Sequence, residues 1–508
     1  MKNLLKLTFL LSVLLPLTAQ SQINELPRTT PAAEGIESRA IINMIDTLMS
    51  LPETEIHHIM VIRDGKVVAE AHPSPFKAEY VHTLFSCSKT FVSMAVGIAI
   101  GENRISLNDR VASYFPDKLP DSISDNLANM TIRNLLTMTS GISADLEISK
   151  ESNDWLKTYF AKQVKEPGKQ FRYDSMCSFT LAAIIQRVTG KTVLDYLKEK
   201  LLTPMHITQV DWEQSPDSIN CAGWGMRLQP ESLAKLGILI LNKGKWNGKQ
   251  LVPEKWIEEA TAKQVDWQIG DHPMDINQGY CYQMWRCLLP GAFRADGAYG
   301  QFVVMSPQYN LVVVINGISF HTADELKAIW HQLIPGVKNA PLAKDASFKA
   351  LKKLCATIAL PTITGKKTSQ IAKPINITFN ANRHNFARMS IVTEKDAYKA
   401  TITLTDGRVF VIPFAYNSWA YRHSEDVPPY FNGAVAYDVK EIKGLDKDYI
   451  TAGNYAWKSP ENLVLRTIYV NWICDRTISL QFNGKTVSAT VTENYDAKNP
   501  EVISGSVN

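Results

Sequence analysis

Leu84-Phe85-Ser86-Cys87-Ser88-Lys89-Thr90-Phe91 runs without a break into the apolar stretch Val92-Ser93-Met94-Ala95-Val96-Gly97-Ile98, and the reading of the chain turns on it. A helix beginning near Ser86 sets Ser86 and Lys89 at i and i+3, one turn apart on one face. A serine hydroxyl is a weak nucleophile until its proton has somewhere to go. A lysine held in a desolvated pocket favours its neutral form and can take part in that transfer, while the helix amino terminus favours negative charge developing beside it. Ser-x-x-Lys arises by chance roughly twice in a chain of this length. Ser74-Pro75-Phe76-Lys77 is such a decoy, set in a polar, proline-broken stretch with no apolar helix behind it.

Two later stretches supply partners. Pro167-Gly168-Lys169-Gln170-Phe171-Arg172-Tyr173-Asp174-Ser175 places a turn before Tyr173, and the apolar helix from Ser178 to Val188 follows. A phenol beside a lysine ammonium loses its proton more easily, which suits Tyr173 to act as general base toward the serine and general acid toward a leaving group. Ala295-Asp296-Gly297-Ala298-Tyr299-Gly300-Gln301 is a glycine-marked approach to the strand Phe302-Val303-Val304. Glycine at Gly297 lets a backbone approach a ligand closely, and an N–H at this strand edge, near Ala298 and Tyr299, can join that of Ser86 as an oxyanion hole.

In this order the three stretches resemble the class C β-lactamase, penicillin-binding protein and esterase family of serine hydrolases. Ser86-Cys87-Ser88-Lys89 is similar to its SxxK, Tyr173-Asp174-Ser175 to its Tyr-x-Asn or Tyr-x-Ser, and Ala295-Asp296-Gly297 stands where it carries Lys-Thr-Gly or His-x-Gly. Leu135-Leu136-Thr137-Met138-Thr139-Ser140-Gly141, Gly223-Trp224-Gly225-Met226 and Lys243-Gly244-Lys245-Trp246-Asn247-Gly248 add to the likeness, which covers roughly residues 30 to 335. Gly300-Gln301 resembles the branch with nylon-oligomer hydrolases and bacterial esterases. The resemblance implies an antiparallel sheet flanked by helices, with the site between the sheet and a helical subdomain. It also implies catalytic roles for Ser86, Lys89 and Tyr173, with substrate contacts at Ser175, Gly297, Ala298, Tyr299 and Trp224.

Two departures bear on the substrate. Ala295 replaces the cation or imidazole that holds a carboxylate in the family, which argues against a β-lactamase or D,D-peptidase. Arg294 is adjacent, but strand alternation sends it to the other face from Ala295. Ser175 replaces an amide-bearing Asn, which favours ester over peptide chemistry. Trp224, Trp267 and Trp285 are aromatics that fit the wall of a pocket for a bulky apolar alcohol, sterol-like or aryl, although large aromatics are commonly core.

The pattern around these motifs is that of an α/β or α+β domain, expected over residues 24–340. His57 to Ala69 reads as a hairpin about Asp64-Gly65, and Val303 to Met305 with Leu311 to Ile315 as a second hairpin of the same sheet. The sheet is thus expected from both ends of the domain, with helices between. After a linker at Gly336 to Lys344, strands at Ile375 to Phe379, Tyr398 to Leu404, Leu463 to Trp472 and Ile478 to Val491, with Asp406-Gly407 and Asn483-Gly484 turns, describe an all-β sheet or small barrel over 346–508. Ala452-Gly453-Asn454-Tyr455-Ala456-Trp457 resembles part of the lipocalin-like domain appended to such enzymes in Bacteroidetes.

Lys2 and Lys6 before the apolar run Leu7 to Leu17, ending at Ala19, describe a cleaved secretory leader over residues 1–19. The run is too short to span a bilayer, and no Cys adjoins the cleavage point, so a periplasmic or secreted protein without a lipid anchor is expected. A net charge of +4 over 508 residues offers no nucleic-acid groove. The seven cysteines, Cys87, Cys177, Cys221, Cys281, Cys287, Cys355 and Cys474, form an odd set with no metal-like spacing, so no metal and no cofactor are expected and at least one thiol is free. Cys281 and Cys287 are near enough in sequence to pair, but scattered buried thiols are the simpler reading.

The expected partners are a small-molecule acyl donor and water or an alcohol as acceptor. Hydrolase and acyltransferase share every catalytic residue, and the choice rests on whether an acceptor binds and excludes water. A non-catalytic sensor on the same fold, or a barrel that binds glycan or lipid, are the competing readings. The oligomeric state is open.

Overall fold

The computed structural model describes residues 25–142, 152–269, 274–371, 374–432, 435–437 and 441–508. The expected leader, residues 1–19, lies outside them.

The Asp64-Gly65 turn takes φ of 51° and 74°, the left-handed pair that a tight hairpin turn requires, and joins strands Thr54–Arg63 and Lys66–Ala71. The second hairpin joins Gln301–Ser306 to Leu311–Ser319 through a 3-10 turn at Pro307–Tyr309. The two hairpins meet where Thr54–Arg63 pairs antiparallel with Leu311–Ser319, so the sheet is closed from both ends of the domain. Phe293–Gly297 and Trp285–Arg286 extend it on the far side, giving six antiparallel strands.

Successive side chains on a strand face opposite ways, and here both faces are buried. Met60, Ile62, Val303, Met305, Val312 and Val314 point into a core shared with helices Ser88–Gly101, Ser175–Thr189 and Pro230–Leu241. Ile59, Val61, Phe302, Val304, Val313 and Ile315 pack on Ser38–Ser50 and the helical segment beginning at Thr322. Most of the helical subdomain lies in sequence between the two hairpins, on the first of these faces.

At the base of the first hairpin a histidine cluster is buried. His82 Nδ1–H donates to the Thr83 carbonyl at 2.8 Å, which leaves His82 Nε2 to accept from His57 Nδ1, also at 2.8 Å. His57 stacks on Phe76 at 3.8 Å. His58 Nδ1 lies 2.9 Å from His72 Nδ1. Burial pushes the His57 and His58 rings well below the usual imidazole range and His82 down to about 4.

The carboxy-terminal region is a closed barrel of nine strands, Ile375–Phe379, Phe386–Glu394, Ala397–Leu404, Val409–Tyr416, Tyr449–Ser459, Asn462–Tyr469, Asp475–Asn483, Thr486–Glu493 and Glu501–Val507. They follow one another around the wall, and the last pairs with the first. An up-and-down barrel with an odd number of strands must contain one parallel pair. It falls between Val409–Tyr416 and Tyr449–Ser459, where the chain detours through residues 417–448. The barrel interior is filled by its own side chains, among them Ile377, Met389, Ile402, Tyr455, Trp457 and Leu480.

The barrel and the sheet-and-helix region share contacts. Arg466 of the barrel wall forms ion pairs with Glu55 of the first sheet strand and, at 2.6 Å, with Asp475. Phe76 and Tyr80 pack with Ile450, Ile468 and Val470. All seven cysteines are free, Cys281 and Cys287 included.

Candidate active site

The short strand His82–Thr83 hands the chain to a 3-10 turn at Phe85–Cys87, and helix Ser88–Gly101 begins directly after it. The helix thus starts two residues later than the spacing predicts, yet Ser86 and Lys89 still lie one turn apart. The junction bends sharply. Phe85 sits at φ 45°, a left-handed conformation that costs a non-glycine residue on the order of 1–2 kcal/mol. Ser88 Oγ donates to the Phe85 carbonyl at 2.6 Å, which helps to hold that bend and leaves Ser86 partly exposed.

Lys89 is 1% exposed. Its Nζ donates to Ser86 Oγ at 2.9 Å, to Ser175 Oγ at 3.0 Å and to the Gly223 carbonyl at 2.6 Å. Burial draws its pKa down to about 7, against the pull of the Asp174 carboxylate. The three partners suit both charge states. An ammonium has three N–H groups for three oxygens; a neutral amine keeps N–H bonds to Gly223 and Ser175 and turns its lone pair to the Ser86 hydroxyl hydrogen.

Tyr173 and Ser175 arrive from the turn that opens helix Ser175–Thr189. Asp174 caps that helix, its carboxylate accepting from the Met176 N–H at 2.8 Å and from the Tyr159 hydroxyl at 3.2 Å. An Asp at this position satisfies an orphan N–H of the first turn, and in doing so it fixes the residues on either side. Tyr173 lines one cavity with Ser86, carries Lys89 Nζ 4.8 Å from its ring centroid and stacks on Trp285 at 5.6 Å.

The structure corrects the expectation that Tyr173 deprotonates easily. Burial raises its hydroxyl above the ordinary phenol range. The Lys89 ammonium, 4.8 Å from the ring centroid, does not offset that burial. Lys89 is the group brought into the working range.

Strand Phe293–Gly297 forms the other wall. Trp285–Arg286 pairs only with Phe293 and Arg294, which leaves the edge from Ala295 to Gly297 uncovered by that strand. A Cβ on Gly297 would lie 2.3 Å from the Leu84 carbonyl, so only glycine lets this strand end lie so close to the chain just before Ser86. Beyond it the carbonyls of Ala298 and Tyr299 accept from the Gln301 side chain, each at 3.3 Å, and Tyr299 accepts from the Ser319 N–H at 3.1 Å. Tyr299 is left-handed, at φ 65°.

A cavity of about 360 Å³ opens on Ser86 and Tyr173, with Trp285, Arg294, Asp296 and Ala298 among its lining residues. Alternation holds along Phe293–Gly297: Ala295 is buried in the helical core, and Arg294 faces the cavity with Asp296. Arg294 is already engaged, its Nε with Asp296 at 2.8 Å and its Nη1 with the Arg286 carbonyl at 2.7 Å.

Of the expected substrate contacts, Ala298 lines this cavity. Gly297 lies against the chain just before Ser86. Tyr299 turns its ring toward Phe85, with centroids 5.5 Å apart. Ser175 is engaged by Lys89. Trp224 is not among the lining residues; it is buried and stacks on Trp155 at 5.8 Å, because the chain turns inward there to present the Gly223 carbonyl. Trp267 packs on Phe171, so of the three tryptophans Trp285 is the one at the cavity. The part of Gly223 is carried by a backbone oxygen, which has no side-chain signature in a sequence.

Residues 54–334 match the family described as Beta-lactamase. A 6-aminohexanoate-dimer hydrolase from Paenarthrobacter ureafaciens is 26% identical over 333 residues, 60% of this chain and 82% of the relative. Protein flp of Staphylococcus aureus (strain MRSA252) is 29% identical over 157 residues, 29% of this chain and 31% of the relative. The solved structure of a putative 6-aminohexanoate-dimer hydrolase from Bacillus anthracis superposes with a TM-score of 0.47 at 20% identity, covering 60% of this chain and 84% of its own.

Proposed function

Since the chain belongs to the beta-lactamase family, whose members include serine hydrolases of amides and esters, we propose that it cleaves small esters or amides through an acyl-enzyme at Ser86. The observation that carries this reading is the 2.9 Å contact between Ser86 Oγ and a Lys89 whose pKa is drawn down to about 7.

Neutral Lys89 takes the Ser86 proton as Oγ bonds to the substrate carbonyl carbon. The Gly223 carbonyl and Ser175 hydroxyl then accept from the ammonium so formed. The N–H groups of Ser86 and Ala298 receive the oxyanion. On collapse the carbonyl–leaving group bond breaks, and the leaving group takes its proton from the Tyr173 hydroxyl, which Lys89 re-protonates. A water then adds to the acyl carbon by the reverse proton path and frees the acid. A hydroxyl compound that occupies the water's place accepts the acyl group by the same steps.

The cavity is at the small end of ligand pockets, which span roughly 300–1,000 Å³, and Trp285 is its tryptophan wall. Both favour a compact acyl group over a sterol-sized partner. Similarity to a 6-aminohexanoate-dimer hydrolase supports hydrolysis. The leader expected at residues 1–19 supports a reaction in the periplasm or outside the cell.

The test is intact-mass spectrometry of the protein mixed with aryl esters, amides of amino acids and penicillins. An acyl adduct on the wild type and none on Ser86→Ala supports the mechanism. Equal labelling of both contradicts it. Adding an alcohol and measuring acyl-alcohol against free acid separates transfer from hydrolysis.

A further inference from the structure

Resting on the Ser86 reading, we propose that the carboxy-terminal barrel positions the oxyanion site, through the turn between two of its strands that packs against Phe85 and Tyr299.

The two residues that adjoin the oxyanion donors share an uncommon feature. Phe85 precedes Ser86 and Tyr299 follows Ala298, and both are bulky side chains in the left-handed region, at φ 45° and 65°. Such conformations persist only where surrounding contacts over-determine them. Their rings meet at 66° with centroids 5.5 Å apart, and both rings pack on one apolar cluster. Within it Ile318 comes from the central sheet, Tyr469 ends barrel strand Asn462–Tyr469, and Trp472, Ile473 and Cys474 come from the turn between it and Asp475–Asn483.

That turn is itself held firmly. Asn494 Nδ2 donates to the Ile473 carbonyl at 2.9 Å and Asn494 Oδ1 accepts from the Asp475 N–H at 3.0 Å. Cys474 Sγ donates to the Pro429 carbonyl at 3.1 Å. Arg476 next along pairs with Glu493. The cluster that this tied-down turn shares with Ile318 therefore packs against both left-handed residues, one on each side of the oxyanion site. When that packing is thinned, the Ser88 bond at Phe85 and the Gln301 and Ser319 bonds at Tyr299 are left to hold the two left-handed conformations, and both residues gain freedom to relax. The Phe85–Ser86 peptide, which carries the Ser86 N–H, turns with them, and so does the loop that begins at Ala298. The barrel residues touch no reacting atom; they are positioning residues.

The experiment compares full-length wild type with Ile473→Ala, the milder Ile473→Val and Ile402→Ala. Ile402 is buried in the barrel interior away from this cluster, so it reports loss of barrel stability alone. Each protein is assayed for kcat and KM on an aryl ester, for melting temperature, and for amide hydrogen exchange in segments 84–89 and 297–301. Ile473→Ala is expected to lower kcat by about tenfold or more with KM within about threefold, as for a displaced catalytic geometry, and to speed exchange in both segments. Ile473→Val should restore most of kcat. Ile402→Ala should lower the melting temperature while leaving kcat and exchange in those segments as in wild type.

The proposal is overturned if Ile402→Ala reduces kcat as much as Ile473→Ala does, or if Ile473→Ala and Ile473→Val alter neither kcat nor exchange. Should wild type turn over no ester and Ser86 take no label, the hydrolase reading fails, and exchange decides the positioning. Faster exchange in Ile473→Ala but not in Ile402→Ala upholds it; equal exchange in both overturns it.

Discussion

The Gly223 carbonyl oxygen lies 2.6 Å from Lys89 Nζ, and as an oxygen that can only accept it keeps one lysine hydrogen in both charge states. The proton that Lys89 gains or loses is therefore one shared with the hydroxyls, Ser86 at 2.9 Å or Ser175 at 3.0 Å. Burial brings that titration to about pH 7. Because the neutral amine is the base, kcat/KM should rise with pH along a single limb with its midpoint near 7 and level off above it. Lys89→Ala and Tyr173→Phe should each lower turnover by at least about 10²-fold, as expected for a lost proton-handling group. A rate independent of pH from 5 to 9 would remove Lys89 from that role.

Ser175 tests the lysine from the other side. Its hydroxyl accepts from Lys89 Nζ at 3.0 Å, and an acceptor stabilises the ammonium more than the amine. Ser175→Ala should move the limb of the pH profile to lower pH by about one unit, with kcat down several-fold at the plateau. An unshifted limb with a raised KM would instead make Ser175 a substrate contact.

Gly297→Ala probes the close approach of strand and nucleophile. The added Cβ would stand 2.3 Å from the Leu84 carbonyl, a backbone atom that cannot rotate away, so strand and turn must part. A loss of about 1–3 kcal/mol in stability is expected for such overpacking. It should come with a fall in kcat of about 10²-fold, read by urea titration and ester assay. Wild-type kcat in a folded Gly297→Ala would mean that the strand end plays no part in catalysis.

The buried histidines set the acid side of stability. In the unfolded chain His57, His58 and His82 take up protons below pH of about 6.5, whereas in the folded protein burial holds His82 neutral down to about 4 and keeps His57 and His58 well below the usual imidazole range. Between those values the unfolded chain binds more protons, so stability is fully present above about pH 6.5. It is lost as pH falls, by about 1.4 kcal/mol per unit for each such histidine. Urea midpoints at pH 7.5 and 5.0 check this, and equal midpoints would contradict neutral burial.

Much of this was readable from residue order because the relevant contacts are local. Ser86 and Lys89 are three residues apart, and a helix alone brings them together. Asp64-Gly65 names its own hairpin, and the turn before Tyr173 and the apolar helix after it are legible between Pro167 and Val188. The rest depends on long-range geometry. Lys89 meets Gly223 through a fold, and a carbonyl looks alike at every position. Tyr173 was expected to be acidified by a nearby charge, yet that charge does not offset the burial of the phenol. Ser175 and Trp224 stand in matching motifs, but one faces the lysine and the other the core, because motif residues share a backbone and not a direction. Strand alternation foretold that Arg294 and Ala295 would part; its hold on Asp296 is a tertiary contact that alternation does not specify.

Sheet and barrel both close by joining an early strand to a late one. Thr54–Arg63 finds its central partner only at Leu311–Ser319, and Ile375–Phe379 finds its neighbour at Glu501–Val507, at the end of the chain. Contacts so distant in sequence make folding slow, since a long loop must be ordered before its pairing repays the entropy. A chain growing from the ribosome therefore cannot finish either unit until its last strand is made. The turn at Phe85–Cys87 packs on a cluster drawn from both units, so its surroundings are complete only when both are.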